Sequence, residues 1–305
     1  MPSGFVGSLC LLAAAGMWGG MYVVGKYALE YISPFVLLWL RYLIAFVILF
    51  ICWFFQKREL INRKDLPLIA WLGFIGYLVS NGGGFVGTQL STAHMGALLS
   101  AASPAFSLVL AYFLIKEKLT WKKLISVVTS MCGLILTIGF EGGAHGRLLG
   151  NLVLLLGAFA WALYTVNVKG IGEKYSSLTI TTFATGAALL LTTPAMLMDL
   201  EPQDLVNIQK PTILMGTLYL SIIATAAAFF LWNKGMEMME AGIGSMFYFF
   251  TPVIGGLLSW IFLKENISQG FIAGGLLIIG GTLILVNKKP QVLAKVKHKG
   301  MSSRL

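Results

Sequence analysis

The chain has 305 residues, 57% of them hydrophobic and only 11% charged, with a mean hydropathy of +0.83 and a formal net charge of +10. Soluble domains carry about a quarter charged residues, so this composition excludes a soluble globular protein: too few polar side chains exist to cover its surface. The basic residues lie in short links between apolar runs. That is the pattern of membrane topology rather than of nucleic-acid binding.

Ten apolar segments follow one another, at approximately 5–26, 34–55, 67–87, 94–115, 121–139, 148–169, 178–198, 211–233, 241–263 and 267–287. Each is at or near the roughly 20 residues that a membrane helix needs. The first is too long for the apolar region of a signal peptide and lacks a basic start, so it reads as a span. Within it Trp18, Tyr22 and Lys26 share one helical face. Lys26 either stands at the mouth of a solute path or snorkels at a helix end, where the helix dipole favours a cation. Trp18 lies too deep for an interfacial belt and points to a cavity.

In the second segment Arg41 falls about two turns inside. It is expected to snorkel outward, or to pair with Glu30 or a backbone carbonyl. In the third, Tyr77, Asn81 and Thr88 lie along one face with Ser80 beside them. Gly82-Gly83-Gly84 follows Asn81 and marks either a local opening or close helix packing. No Gly-Lys-Ser/Thr follows, so this is not a phosphate loop. The fourth segment opens with His94, a side chain with a physiological pKa and a candidate for coupling, as is Arg41. It continues with a small, polar stripe of Gly96, Ser100, Ser103 and Ser107. Pro104 is expected to kink it and to free a carbonyl near Ser100.

The second half restates the first. In the sixth segment Trp161, Thr165 and Lys169 repeat the pattern of Trp18, Tyr22 and Lys26. In the ninth, Gly244, Tyr248, Thr251 and Gly255 repeat the stripe, with Pro252 as its kink. Gly7/Gly150, Trp18/Trp161, Lys26/Lys169 and Ser33/Ser176 are each 143 residues apart. Gly96/Gly244, Pro104/Pro252, Lys116/Lys264 and Gly133/Gly281 are each 148 apart. Matched prolines within apolar segments argue for an internal repeat. The Lys116-Glu117 and Lys264-Glu265 pairs sit at helix ends, and each Glu is expected to face the N-terminus of the next helix. Five spans per half is odd, so the second half enters the membrane inverted. The fold class is therefore an all-α integral membrane protein: ten transmembrane helices as two inverted five-helix repeats, at 1–145 and 146–287. A basic tail, 288–305, follows, read as a cytoplasmic end attracted to anionic lipid. Lys and Arg concentrate in the links that face the cytoplasm if both termini lie there. The longest opposite link, Asp199 to Lys210, is acidic.

Ten spans in two halves, the proline-to-glutamate signature of the fourth and ninth, and the tryptophan midway along the first and sixth resemble the EamA branch of the drug/metabolite transporter superfamily. The resemblance covers residues 5 to about 287. It implies helices around a central cavity, with spans 1, 3, 4, 6, 8 and 9 lining it and spans 5 and 10 peripheral. It also implies movement of amino acids and other small metabolites, often outward. The residues themselves add limits. No Asp or Glu lies near the middle of a span, where ion relays usually place one. No nucleotide motif, metal-ligand cluster or catalytic constellation is present, and Cys10, Cys52 and Cys132 form no disulfide framework. The expectation is a carrier in the plasma membrane, not an enzyme, with no cofactor and no nucleic-acid partner. It meets a small-molecule solute and membrane lipid, as a monomer or homodimer. An embedded enzyme acting on a lipid-linked substrate, or a membrane scaffold, is the alternative.

Overall fold

In lipid no water is present to satisfy the backbone, so an open chain can cross only as helix. The computed structural model describes residues 3–56, 59–90, 99–138, 148–172, 174–263 and 269–286, and these contain helices and links but no strand. The first helices are α1 (Ser3–Ala28), α2 (Pro34–Phe55) and α3 (Arg63–Leu90). They are followed by α4 (Ser103–Leu114), α5 (Trp121–Ile138), α6 (Leu148–Ile171) and α7 (Ser177–Asp199). The last are α8 (Pro211–Met238), α9 (Ala241–Ser245, Met246–Phe249 and Phe250–Leu263) and α10 (Gln269–Val286). Among the described residues six helices, α1, α2, α3, α6, α7 and α8, are long and apolar enough to cross a membrane. The protein is thus a multi-pass membrane protein.

Neither α3 nor α8 is a regular α-helix. Each is interrupted by a π-helical stretch, Gly73–Gly82 in α3 and Tyr219–Ala227 in α8. π turns shift the carbonyl register and are common at functional sites. Here they release carbonyl oxygens to side chains of other helices. Tyr42 Oη donates to the Tyr77 carbonyl at 2.8 Å, and Trp18 Nε1 donates to the Ala224 carbonyl at 2.9 Å.

The prolines expected as kinks do interrupt their helices, but from the first turn rather than from within. Ala101 and Ala102 form a turn, and Pro104 then opens α4, where its missing N–H costs nothing. Pro252 follows the 3₁₀ turn Met246–Phe249 in the same way. The freed carbonyl of Ser100 accepts from Ser103 Oγ at 2.5 Å, as the proline predicts.

Packing crosses between the two parts of the chain. α1 packs on α8 and α9; α6 packs on α3 and α4; α2 packs on α7, and α5 on α10. Helix ends are closed in the same crossed manner. Ser33 N and Phe35 N, at the start of α2, donate to Asp204 and Asp199 at 2.9 and 2.8 Å. Ser176 N, at the start of α7, donates to Glu59 at 2.7 Å, and the Thr179 hydroxyl joins it at 3.0 Å. Carboxylates suit helix N-termini, where unpaired N–H groups and the dipole both attract them.

Glu117 corrects one expectation. The helix N-terminus that it caps is not that of the following helix, α5, from which the Lys123 side chain reaches it. Its carboxylate takes Ala241 N and Gly242 N, at the start of α9, while Lys123 pairs with it at 3.4 Å and with Glu240 at 2.7 Å. Its counterpart Glu265 lies outside the described residues. The Asp199–Lys210 link, read from sequence only as acidic, contains the short helix Pro202–Asn207. There Asp204 and Asn207 are buried, and Asn207 donates to the Tyr31 carbonyl at 2.7 Å.

α5 and α10 meet through the matched glycines. A Cβ on Gly133 would sit 2.6 Å from the Gly274 carbonyl, and one on Gly281 would strike Ser130 Oγ and approach the Ser126 carbonyl at 3.0 Å. Small residues at such crossings let helix backbones touch, which drives association in lipid. Gly280, one residue away, has nothing within 4 Å. Gly133→Ala and Gly281→Ala should each destabilise the detergent-solubilised protein by about 1–3 kcal/mol. Gly280→Ala should leave the melting temperature unchanged, and equal effects at all three positions would contradict this packing.

A polar clamp joins the 3₁₀ turn Arg63–Asp65, the polar entry that precedes the apolar, membrane-spanning part of α3, to the link before α7. Asp65 accepts from Tyr175 Oη at 2.8 Å and from Lys174 Nζ at 3.0 Å, and Tyr175 Oη accepts from Asn62 N at 3.0 Å. The Tyr175 hydroxyl, and then Lys174, hold the Asp65 carboxyl below its usual range. A depressed folded-state pKa gives stability that is complete above the ordinary aspartate value, about 4. It is lost as pH falls through the depressed one. Tyr175→Phe should therefore move the acid-unfolding midpoint to higher pH. An unchanged midpoint, followed by circular dichroism, would show that the clamp contributes nothing.

Candidate functional site

The two tryptophans of the repeat meet at the centre. The rings of Trp18 and Trp161 lie edge to face with centroids 5.1 Å apart. Phe229, Trp232 and Tyr248 each contact both, at 5.2–6.0 Å. Edge-on and tilted aromatic pairs at this spacing are favourable beyond their buried area. The result is an aromatic layer that spans α1, α6, α8 and α9.

A cavity rests on this layer. Its wall contains Trp18, Met21 and Gly25 of α1 and Leu29 just after it, then Ser80, Asn81, Gly84, Phe85 and Thr88 of α3. Leu154 and Trp161 of α6, Phe229 of α8 and Tyr248 of α9 complete it. Along α1 and α3 the wall climbs toward their C-terminal ends, so Trp18, Trp161, Phe229 and Tyr248 form the floor. On the other side of the floor, Tyr164, Thr165, Trp232 and Asn233 are fully buried or nearly so. The Asn233 amide nitrogen donates there to Thr181 Oγ1 at 2.8 Å, and Tyr164 Oη donates to Asn233 Oδ1 at 2.9 Å.

The cavity is mostly apolar with a few placed polar groups, the usual make-up of a small-molecule site. No charged side chain is among its described wall residues. Asn81 is held by two bonds from its amide nitrogen, to Tyr42 Oη at 3.2 Å and the Gly76 carbonyl at 3.3 Å. Its amide oxygen is the part left to accept from a solute. Gly83 and Gly84 answer the question raised by the glycine run. They pack against Gly157 of α6, whose Cβ would lie 3.1 Å from the Ser80 carbonyl, and Gly84 also lines the cavity.

The residues singled out in the sequence divide accordingly. Trp18, Trp161, Asn81 and Tyr248 come together in the wall. Tyr77 lies behind it, fully buried and stacked on Phe229 with centroids 4.2 Å apart. Thr165 is buried beyond the floor, and Thr251 is buried in α9. Ser100 and Ser103 join the packing of α4, which supplies no described residue to the wall; the resemblance had implied that the fourth span lines it. Lys169 Nζ donates to the Glu237 carbonyl at 3.2 Å, in the last turn of α8, which is the helix-capping alternative for that lysine. Tyr22 and Lys26 lie on α1, and their side chains, like the whole of His94, fall outside the described residues. Reading the sequence alone missed Met21, Phe85, Leu154 and Phe229, since apolar side chains in a membrane protein carry no mark of their own. One signal was available: the 148-residue offset that pairs Ser100 with Tyr248 also pairs Asn81 with Phe229.

Arg41 departs from expectation. It neither snorkels nor meets Glu30, which is exposed. It is fully buried. Nε donates to Thr225 Oγ1 at 3.0 Å, and that hydroxyl donates to the Leu220 carbonyl within the π-helical stretch at 2.7 Å. The guanidinium carbon lies 5.6 Å from the ring centre of Phe85. Among the described residues Nη1 and Nη2 have no hydrogen-bond partner. Each such unmet group costs on the order of 1–3 kcal/mol.

Known proteins share both the sequence and the shape. The sequence model of the EamA-like transporter family matches twice, at residues 5–139 and 148–287. The uncharacterized transporter YetK of Bacillus subtilis (strain 168) is 29% identical over 289 residues, covering 92% of this chain and 87% of that protein. A probable amino-acid metabolite efflux pump of Salmonella typhimurium (strain LT2) is 27% identical over 293 residues, covering 92% and 94%. A solved crystal structure superimposes with a TM-score of 0.75 at 18% identity, over 91% of this chain and 95% of that one, which is a likeness of fold. With the family matched over nearly its whole length, the chain belongs to the EamA-like transporter family, a family of membrane transporters.

Proposed function

We propose that this transporter moves a small metabolite bearing a carboxylate, such as an amino acid, outward across the plasma membrane by alternating access. The observation that carries the reading is the central cavity, floored by the Trp18–Trp161 layer. Its mix of apolar wall with Ser80, Asn81 and Thr88 suits a small amphipathic solute. The solute class and the outward direction are supported by the Salmonella relative, a probable amino-acid metabolite efflux pump. The relatives' names as transporters also support a non-enzymatic role.

The proposed architecture is ten crossings in two inverted five-helix halves with both termini cytoplasmic. The twofold match of the family supports it. So does the crossed packing. Exchanging α1 with α6, α2 with α7, α3 with α8, α4 with α9 and α5 with α10 returns the main pairings: α1 on α8 and α9 becomes α6 on α3 and α4, α2 on α8 becomes α7 on α3, and the α2–α7, α4–α9 and α5–α10 pairs map onto themselves. The π-helical stretches of α3 and α8 exchange in the same operation. Rocking one half against the other would open the buried side of the floor and close the cavity mouth.

Trp18→Phe keeps an aromatic ring but removes the N–H donated to Ala224. A lost buried hydrogen bond is worth about 1 kcal/mol or more. Uptake of the transported amino acid into proteoliposomes should fall by several-fold up to about tenfold, with protein level and melting temperature nearly unchanged. Trp161→Phe, which narrows the floor, should change the half-saturation concentration. Wild-type kinetics in both variants would leave the pair as packing residues and remove the support for the floor.

A further inference from the structure

A guanidinium is always charged, and one placed among membrane helices pairs with another group or marks a functional path. Arg41 has one protein hydrogen bond, through Nε, to a neutral hydroxyl. Its two terminal nitrogens are buried and, among the described residues, unpaired. No described carboxylate forms an ion pair with it. Among the described residues, the aromatic ring against the guanidinium is Phe85, itself a wall residue of the central cavity. The Phe85 side chain therefore touches both the unpaired cation and the space that receives the solute.

We propose that Arg41 is the anchor for the carboxylate of the solute, and that Phe85 is the screen that swings aside to admit it. This deepens the reading above, on which it rests for the identity of the cavity. The guanidinium offers a planar fork of N–H groups that matches a carboxylate with two parallel hydrogen bonds. Nε is fixed on Thr225, so the free edge of the fork is the Nη pair. In the resting state the ring of Phe85 supplies the cation–π contact that partly replaces an anion. Thr225 belongs to the π-helical stretch of α8, and its hydroxyl bond to Leu220 spans five residues, as that register requires. The irregular helix thus orients the arginine. Arg41 comes from α2, Phe85 from α3 and Thr225 from α8, so an occupied anchor would tie helices of both halves together, which is how a solute can shift a two-state equilibrium. The cavity wall has no described charge of its own, so Arg41 is what would make an otherwise neutral pocket select an anion.

The test uses the full-length protein in detergent. Melting is followed with sodium acetate and sodium propionate, with acetamide and propionamide at matched concentration, and with sodium chloride and sodium phosphate as ionic controls. The carboxylates should raise the melting temperature and the amides should not. Arg41→Met should abolish the difference, Arg41→Lys should retain part of it, and Phe85→Ala should enlarge it. Without ligand, Arg41→Met should melt no lower than wild type, because it removes an uncompensated charge. A lower melting point with no change in ligand response would mean a structural arginine and would overturn the proposal. So would equal stabilisation by acids and amides in wild type, which needs no variant, or stronger stabilisation by phosphate. Carboxylate-selective stabilisation without uptake of any of the twenty amino acids would support the anchor while counting against the transport reading. Uptake of cationic or uncharged solutes with no preference for a carboxylate would do the reverse.

Discussion

The bond from the Trp18 indole to the Ala224 carbonyl, with Trp161 packed edge-on against the same ring, is the contact on which the rest of the interior depends. In a regular membrane helix each carbonyl already serves its own ladder, and only its second lone pair is left for another group. The π-helical stretch Tyr219–Ala227 changes that register and makes a backbone oxygen available in the middle of the membrane. Trp18 takes it. The indole is thereby fixed, and Phe229, Trp232 and Tyr248 close around it. A cavity can then exist above the layer without the structure collapsing into it.

The same economy of polar groups governs the helix ends. α2 begins on Asp199 and Asp204, α7 begins on Glu59, and α9 begins on Glu117. In every case the carboxylate comes from a distant part of the chain. These charges do not stand in the cavity wall; they hold helices of one half to helices of the other. The clamp of Asp65 with Tyr175 and Lys174 lies with the Glu59 contacts, while the Asp199 and Asp204 contacts lie at the opposite ends of α2 and α7. The proposed rocking motion would loosen one set while it keeps the other.

Much of this was legible in the sequence. Helix limits follow from apolar length, and the observed helices agree with the apolar segments to within a few residues wherever they are described. The pairing of Trp18 with Trp161 was legible because the repeat marks both, and depth separates them from an interfacial belt. The prolines at 104 and 252 were legible as interruptions. Other features leave no trace in a single sequence. A π-helical stretch has no composition signal: Gly73–Gly82 and Tyr219–Ala227 read like any other apolar run. The partner of Glu117 is 124 residues away and is set by the tertiary arrangement, so only its preference for a helix N-terminus could be read. Arg41 was legible as anomalous, since a cation two turns into a span is costly. Its surroundings were not, because Thr225 and Phe85 come to it from α8 and α3.

The central claim is that the aromatic layer divides an accessible cavity from a sealed interior and that the solute reverses which side is open. Site-directed labelling tests it most directly. With Cys10, Cys52 and Cys132 replaced, Thr88→Cys places a thiol in the cavity wall and Thr165→Cys places one beyond the floor. A membrane-impermeant maleimide is applied to proteoliposomes from each side in turn. The account predicts rapid labelling at position 88 from one side only, together with protection at 165. Transported solute should slow the first and expose the second from the opposite side. Labelling of both positions at equal rates from the same side, unaffected by solute, would contradict it.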